Sequence, residues 1–191
     1  MRQNAALFFF FALVATLCDR SWIGLDAMRY YPLDPNHLWQ PWWVPLQYGV
    51  MGLLAVHFAA LVTRYLVPRD TEPPRDPLAR FAISASWFVA AFIAGGLFDA
   101  TRARRLAVVL VAVWLVRFLL QRPRGGEALA VLVITAGLAA AGTAGEIVLV
   151  WLGVMEYTRP AFCGLPWWVP GLYLHAGYLA RDIARAWFNG R

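Results

Sequence analysis

The sequence predicts an all-α integral membrane protein, a single domain in which six transmembrane helices form a bundle. Of its 191 residues, 61% are hydrophobic and only 15% are charged, whereas about a quarter of the residues of a soluble domain are charged. The mean hydropathy of +0.55 agrees with this composition. Six apolar runs follow one another along the chain, and a membrane-crossing helix needs about 20 such residues. The length therefore suffices for six spans joined by short loops.

The predicted spans are defined by the polar stretches between them. The first run stands behind Arg2 and resembles the core of a signal peptide, but no small-residue cleavage pattern precedes Asp19, so we interpret it as a retained span. A loop rich in proline and charge at 68–77 separates the second span from the third. The predicted spans are 5–25, 42–66, 78–98, 106–120, 128–154 and 167–187.

Charge and tryptophan placement predict the orientation. If the N-terminus is cytoplasmic, eleven of the 17 arginines fall on the cytoplasmic side, as the positive-inside rule requires. Trp42, Trp43, Trp167 and Trp168 then cluster at the opposite membrane surface, where amphipathic rings are favoured. The net charge of +6 does not indicate nucleic-acid binding, because apolar runs separate the arginines and no basic stripe forms.

An internal repeat links the two ends of the chain. PWWVPLQY at 41–48 returns as PWWVPGLY at 166–173, and upstream of each copy the sequences WIG at 22–24 and WLG at 151–153 echo one another. Helices 1 and 2 are therefore predicted to resemble helices 5 and 6, related by an axis along the membrane normal. Pro41 and Pro166 are expected to begin helices 2 and 6, because early helical N–H groups have no partner to lose.

Two ionisable residues inside the spans are the first candidates for a functional site. Ionisable groups are costly in a bilayer and are treated as functional by default. Glu146 and His175 each lie about eight residues from the same membrane surface, so both are placed roughly 12 Å deep. They could hydrogen-bond across neighbouring helices. Three interpretations stay open: a buried pair that locks the helices, an anchor for a lipid hydroxyl or ester, or a catalytic acid and base.

Small residues form the second group of candidates. Gly95 and Gly96 lie in span three, and Gly142 and Gly145 lie in a run at 136–145 that is almost entirely glycine and alanine. Such residues commonly allow close helix packing. The alternative is a hollow that a lipid tail occupies, and 136–145 is the segment we most expect to line it. The predicted ligand-binding residues are Glu146, His175, Gly95, Gly96, Gly142, Gly145, Trp168 and Tyr173.

Known catalytic and metal-binding patterns do not occur in this sequence. It contains no nucleophile elbow, no zinc-protease pattern, no paired-cysteine pattern and no phosphate-binding loop. His37, His57 and His175 lie at unrelated depths, which does not indicate a metal site, and His57 is interpreted as a packing residue. We therefore expect no enzyme activity, no cofactor and no bound metal.

Several segments resemble the insulin-induced gene (Insig) family. The strongest is GVMEYTRPAF at 153–162, followed by WVP at 168–170, Gly177 and Arg181, and RPRGG at 122–126 is similar to a loop of that family. The resemblance implies a six-helix bundle with cytosolic termini and a lipid-binding cavity, and in animals a role in oxysterol sensing with the partner Scap. Gln121 stands where the family has an acidic residue tied to partner control, so a Scap-type partner is not expected. The short chain and its all-arginine usage suggest a homologue in a bacterial inner membrane.

These observations together predict a non-enzymatic protein that binds a neutral membrane lipid, sterol-like or diacylglycerol-like. The lipid is expected to enter sideways, with walls from spans two to five around its tail and polar groups near one surface around its head. One alternative is a small enzyme acting on an isoprenoid or sterol through Glu146 and His175. The other is a scaffold that uses its glycine-rich helix faces, which also allow a homo-oligomer.

Overall fold

The computed structural model describes residues 2–31, 40–68, 76–98 and 102–188. In this part of the chain six α-helices and two short strands follow one another. In order they are α1 (Arg2–Gly24), β1 (Met28–Tyr30), α2 (Trp43–Leu66), α3 (Pro77–Leu97), α4 (Ala103–Gln121), α5 (Gly126–Trp151), β2 (Met155–Tyr157) and α6 (Val169–Phe188). The predicted all-α bundle of six helices is confirmed, and the small sheet is an addition. Most of the predicted 68–77 loop lies outside the described residues.

Helix α6 occupies the centre of the bundle. It packs against α2, α3, α4 and α5, while α1 packs on α2 and α3. Its polar residues His175, Arg181, Asp182 and Arg185 are all buried. A helix enclosed by other helices does not contact lipid, so its charged residues can be satisfied inside the protein.

Four of the helices are long and apolar enough by themselves to cross a membrane: α1, α2, α3 and α5. Helices α4 and α6 each carry three charged residues. Those of α6 are enclosed, and Arg117 of α4 is also buried. The two helices thus depend on the surrounding bundle for their place in a bilayer.

The two halves of the predicted repeat meet in an antiparallel two-stranded sheet. Strand β1 follows α1 and strand β2 follows α5, with Met28 opposite Tyr157, Arg29 opposite Glu156 and Tyr30 opposite Met155. In the repeat, Met28, Arg29 and Tyr30 correspond in order to Met155, Glu156 and Tyr157. The two outer pairs of the sheet are therefore the same pair with the two copies interchanged. This register is that of two copies related by a twofold axis between Arg29 and Glu156, as the repeat predicts.

The backbone around the sheet obeys the same offset. The Tyr31 N–H donates to the Val154 carbonyl at 2.9 Å, and the equivalent Thr158 N–H donates to the Ala27 carbonyl at 3.0 Å. Both helices end alike, with a left-handed residue at equivalent positions: Asp26 at φ 52° and Gly153 at φ 70°. The structure therefore pairs Gly153 with Asp26, and the predicted correspondence between WIG and WLG is wrong by two residues.

The repeated prolines lie at helix entries, although the helices begin later than predicted. Helix α2 begins at Trp43 rather than Pro41, and α6 begins at Val169 rather than Pro166. Pro45 and Pro170 then fall in the first turns. Because N–H groups in a first turn have no helical acceptor, the two prolines remove no hydrogen bond.

Close approach of α5 and α6 depends on Gly177. A Cβ placed there would lie 2.6 Å from the Thr135 Cα atom, and backbone cannot move aside as a side-chain tip can. We expect Gly177→Val to lower the stability by about 1–3 kcal/mol, the usual cost of overpacking a close-packed interior. Thermal unfolding in detergent would measure it. Gly24→Val is the control, because a Cβ at Gly24 meets nothing within 4 Å; equal melting temperatures for the two variants would contradict the packing argument.

Candidate functional site

A carboxyl group held by two tyrosines forms the centre of the site. The Tyr157 hydroxyl donates to Glu146 Oε2 at 2.6 Å, and the Tyr173 hydroxyl donates to Glu146 Oε1 at 2.7 Å. Glu146 comes from α5, Tyr157 from β2 and Tyr173 from the first turns of α6. One carboxyl group thus ties three elements together.

The other copy of the repeat contains the same unit. The Tyr30 hydroxyl donates to Asp19 Oδ2 at 3.0 Å, and the Tyr48 hydroxyl donates to Asp19 Oδ1 at 2.7 Å. Asp19 and Tyr30 match Glu146 and Tyr157 at the offset of the strands, and Tyr48 is the last residue of the repeated PWWVPxxY segment. We call these the Asp19 unit and the Glu146 unit.

The strand tyrosines remain hydrogen-bond donors. Burial raises the pKa of Tyr30 and of Tyr157 well above the ordinary value, and the neighbouring carboxyl groups raise it further. Both hydroxyls therefore keep their protons and point them at carboxyl oxygens. A buried carboxyl group needs such donors, because desolvation without partners is costly.

The two units differ in one donor. The Gln40 side-chain amide donates to Asp19 Oδ2 at 2.5 Å and to the Thr16 carbonyl at 3.1 Å. The residue at the equivalent position of the repeat is Leu165, a fully buried apolar side chain. Among the described residues Asp19 therefore has three donors and Glu146 has two. Asp19 is wholly enclosed, whereas Glu146 reaches the wall of a cavity.

This cavity has a volume of about 120 Å³, and about 880 Å³ of empty space when its open mouth is included. Helices α2 and α5 form its two sides, and α1, α3 and α6 contribute the remaining wall. From Gln47 to Ala55 the α2 side extends eight residues, or about 12 Å. The predicted hollow is therefore present, but α1 and α6 line it and α4 does not, which corrects the expected walls. The lining residues are Phe11, Ala15, Gln47, Tyr48, Met51, Gly52, Ala55, Phe88, Phe92, Leu138, Ala141, Gly142, Gly145, Glu146, Leu172, Tyr173, Ala176, Leu179 and Ala180.

The cavity exists because α2 and α5 touch at one end and separate at the other. A Cβ at Gly126 would overlap the Leu66 carbonyl, and a Cβ at Gly137 would lie 3.1 Å from the Phe58 ring. A Cβ at Gly145, by contrast, meets nothing within 4 Å. The helices thus form a wedge whose wide end lies beside the Glu146 unit.

Four of the eight predicted ligand-binding residues line this cavity: Glu146, Gly142, Gly145 and Tyr173. Gly142 has a defined purpose, because a Cβ there would overlap the Tyr173 ring that carries the donor to Glu146. Gly145 leaves the mouth open.

The remaining four candidates lie elsewhere. A Cβ at Gly95 would approach the Trp168 ring to 2.7 Å, and a Cβ at Gly96 would approach Trp22 to 2.8 Å. For these glycines close packing is the correct interpretation. Gly95 and Trp168 border a separate recess of about 10 Å³.

His175 does not meet Glu146. Its Nε2 atom lies 3.0 Å from the Leu110 carbonyl oxygen, and its Nδ1 atom lies 3.5 Å from Arg117 Nη1. A carbonyl only accepts, so Nε2 carries the proton and Nδ1 faces the guanidinium as an acceptor. The predicted contact with Glu146 is therefore wrong, and the acid–base pair that motivated the enzyme alternative is not formed.

His175 belongs instead to a buried polar network that extends along α6 towards the C-terminal end of that helix. Arg117 donates to Ser84 at 2.7 Å, and Ser84 donates to Asp182 at 2.5 Å. Arg181 and Arg185 both donate to Glu127. Arg181 also donates to Gln121 at 2.9 Å, so the residue that departs from the Insig pattern has a partner on the central helix.

Neither the network around Arg117 nor the Asp19 unit was predicted from the sequence. The sequence pattern identifies Arg117 and Arg185 only as topology-setting charges and Arg181 also as part of the Insig resemblance, yet all three are at least nine-tenths buried. In the sequence, Asp19 is only the polar residue that follows the first apolar run. The signal that could have found it is the repeat, because a carboxyl residue lies eleven positions before a tyrosine in both copies.

Comparison with solved structures supports the fold. No family model matches this chain, and no curated protein matches it. The crystal structure of a mycobacterial Insig homolog, MvINS from Mycobacterium vanbaalenii, is similar with a TM-score of 0.77 and 18% identity, over 97% of this chain and 93% of that one. A cross-linked MvINS trimer gives a TM-score of 0.79, again with 18% identity, over 100% and 96% of the two chains. The fold implied by the Insig resemblance is thereby confirmed.

The unequal donor sets of the two units lead to a stability prediction. Tyr157→Phe leaves Glu146 Oε2 without a donor, whereas Tyr30→Phe leaves Asp19 Oδ2 with the Gln40 amide. We expect Tyr157→Phe to lower the unfolding free energy by about 1–3 kcal/mol and Tyr30→Phe to lower it less. Chemical or thermal unfolding in detergent would compare them, with the exposed Tyr65→Phe as control. A larger loss for Tyr30→Phe would contradict the assignment of donors.

Proposed function

We propose that this chain is a non-enzymatic membrane protein of Insig type that binds a neutral lipid, sterol-like or diacylglycerol-like, in the cavity between α2 and α5. The observation that carries the proposal is the cavity's shape and polarity. Its walls are apolar over most of their length, and its polar groups gather at one end around Glu146 and Tyr173. The fold shared with the mycobacterial Insig homolog supports the Insig-type architecture in this proposal.

The open wedge provides a sideways entrance. Its mouth lies between α2 and α5 at Met51, Ala141 and Gly145, and Met51 is 42% exposed. Because these helices face the bilayer, a lipid can reach the cavity without crossing water. A void of about 150 Å³ holds a benzene-sized molecule. At about 120 Å³ this cavity holds only one part of a lipid, and the rest extends through the mouth.

Selection must come from polar contacts and shape. Moving an apolar tail from lipid into an apolar cavity gains little, because lipid is already an apolar solvent. A hydrogen bond at the Glu146 unit contributes more than the tail does, because hydrocarbon offers the lipid head no alternative hydrogen-bond partner. The proposed site therefore consists of Glu146, Tyr173, Gly142 and Gly145, with Tyr48 and Gln47 from α2.

Filling the mouth tests the proposal. Gly145→Leu places a side chain in the open space of the cavity, whereas Ala144→Leu changes the neighbouring residue, which is exposed and does not line it. We expect lipid that copurifies with the wild-type protein to fall several-fold in Gly145→Leu and to persist in Ala144→Leu. Lipid extraction and mass spectrometry of the purified proteins would measure it. Absence of bound lipid from the wild type would refute the proposal.

We further propose that the protein resides in a bacterial inner membrane with both termini in the cytoplasm, and that it self-associates. With Arg117, Arg181 and Arg185 buried, eight arginines rather than eleven remain on the terminal side, against six on the other. A reporter enzyme fused after residue 191 tests the orientation directly and is expected to read as cytoplasmic. Self-association is supported by the trimer observed for MvINS, and crosslinking in membranes would detect it.

A further inference from the structure

The Asp19 unit shows how the Glu146 unit is completed. Both units consist of a buried carboxyl group with one strand tyrosine and one helix tyrosine as donors. In the Asp19 unit a third donor, the Gln40 amide, shares an oxygen with Tyr30. In this copy of the repeat, protein side chains therefore provide all three donors to the carboxyl group.

The third donor is missing from the other copy for a reason visible in the sequence. Gln40 immediately precedes one PWWVPxxY segment, and Leu165 immediately precedes the other. Leucine has no donor, and its side chain is fully buried. The described residues therefore provide Glu146 with the two tyrosine donors alone, although its carboxyl group lines the cavity.

The groups around the Glu146 carboxyl determine which kind of hydrogen-bond partner it can accept. Tyr157 and Tyr173 direct their protons to Glu146, so their hydroxyls present oxygen lone pairs to other partners. Each carboxylate oxygen has lone pairs beyond the one that a tyrosine occupies. Around Glu146 the polar end of the cavity is consequently rich in acceptors, and the amide donor among its lining residues belongs to Gln47 on α2.

We propose that the Glu146 unit selects lipids whose head donates a hydrogen bond, such as a free hydroxyl, to the Glu146 carboxyl group at the cavity wall, which thereby gains a third donor as Asp19 does from Gln40. The inference rests on the proposed lipid-binding function and specifies its ligand class. A lipid whose head offers only ester, ether or ketone oxygens places an acceptor against the Glu146 oxygens, gains no hydrogen bond there and is retained less. A hydroxyl donates to Glu146 and leaves the tyrosine bonds in place.

Two probes that differ in a single donor test the proposal. 1-Hexadecanol and its methyl ether, 1-methoxyhexadecane, have the same tail, and only the alcohol donates a hydrogen bond. We expect detergent-purified wild-type protein to retain the alcohol about tenfold over the ether, as one additional hydrogen bond to a buried carboxyl oxygen implies. Quantitative mass spectrometry of protein isolated with each isotope-labelled probe gives the ratio.

The repeat supplies a matched pair of variants. Glu146→Gln keeps the shape but replaces one acceptor oxygen with an amide donor, and the preference for the alcohol is expected to fall to a few-fold. Asp19→Asn makes the same change where Gln40 is the third donor, and the preference is expected to stay at the wild-type value. Loss of preference in Asp19→Asn together with its retention in Glu146→Gln would assign the selection to the wrong unit and overturn the proposal.

The wild-type measurement stands independently of how well the variants fold. Equal retention of alcohol and ether by the wild-type protein overturns the selection of donors while leaving lipid binding intact. Retention of neither probe, with no lipid copurifying, overturns the lipid-binding function itself and the inference with it.

Discussion

Burying two carboxyl groups inside a helical membrane bundle is the constraint on which the rest of the structure depends. Each group must find donors, because a bare carboxylate in an apolar medium is far too costly. In both copies of the repeat the donors come from the strand that follows the helix and from the helix that returns. The carboxyl group thus fixes the hairpin, and the two strands then pair across the twofold axis.

The repeat has diverged in what surrounds its two carboxyl groups. Three residues after Asp19 on α1, Trp22 stacks on Phe92 with ring centroids 4.0 Å apart and donates its indole N–H to the Phe92 carbonyl at 2.5 Å. Helix α3 therefore seals the side of the bundle next to α1. No helix of the described chain covers the corresponding wide end between α2 and α5. The carboxyl group of one copy is fully buried, whereas that of the other reaches the wall of the cavity.

Sequence reasoning reached the helices, the repeat and half of the site for identifiable reasons. Hydrophobic runs are separated by charge and proline, so the helices could be found, and the rare PWWVP segment made the repeat visible. Glu146 stood out because a carboxyl residue interrupts an apolar run. Its partners did not, because Tyr157 lies beyond the helix end and a tyrosine in a membrane protein has many ordinary uses. Similarly, depth along a helix placed His175 level with Glu146 but could not tell which way each side chain pointed.

Glycine spacing along α5 explains why the cavity opens where its polar groups are. At Gly126 and Gly137 the missing side chains let α2 approach α5 closely, so the helices are joined over that half. At Gly142 the missing side chain admits the Tyr173 ring instead, and at Gly145 nothing fills the space. Glycine therefore has opposite effects at the two ends of the wedge. At the narrow end it faces α2 and allows close packing, whereas at the wide end it faces the Tyr173 ring or open space. Since Glu146 is the residue after Gly145, the polar end of the cavity lies beside its mouth, and the proposed lipid would therefore bring its head to the carboxyl group before its tail reaches the apolar wall.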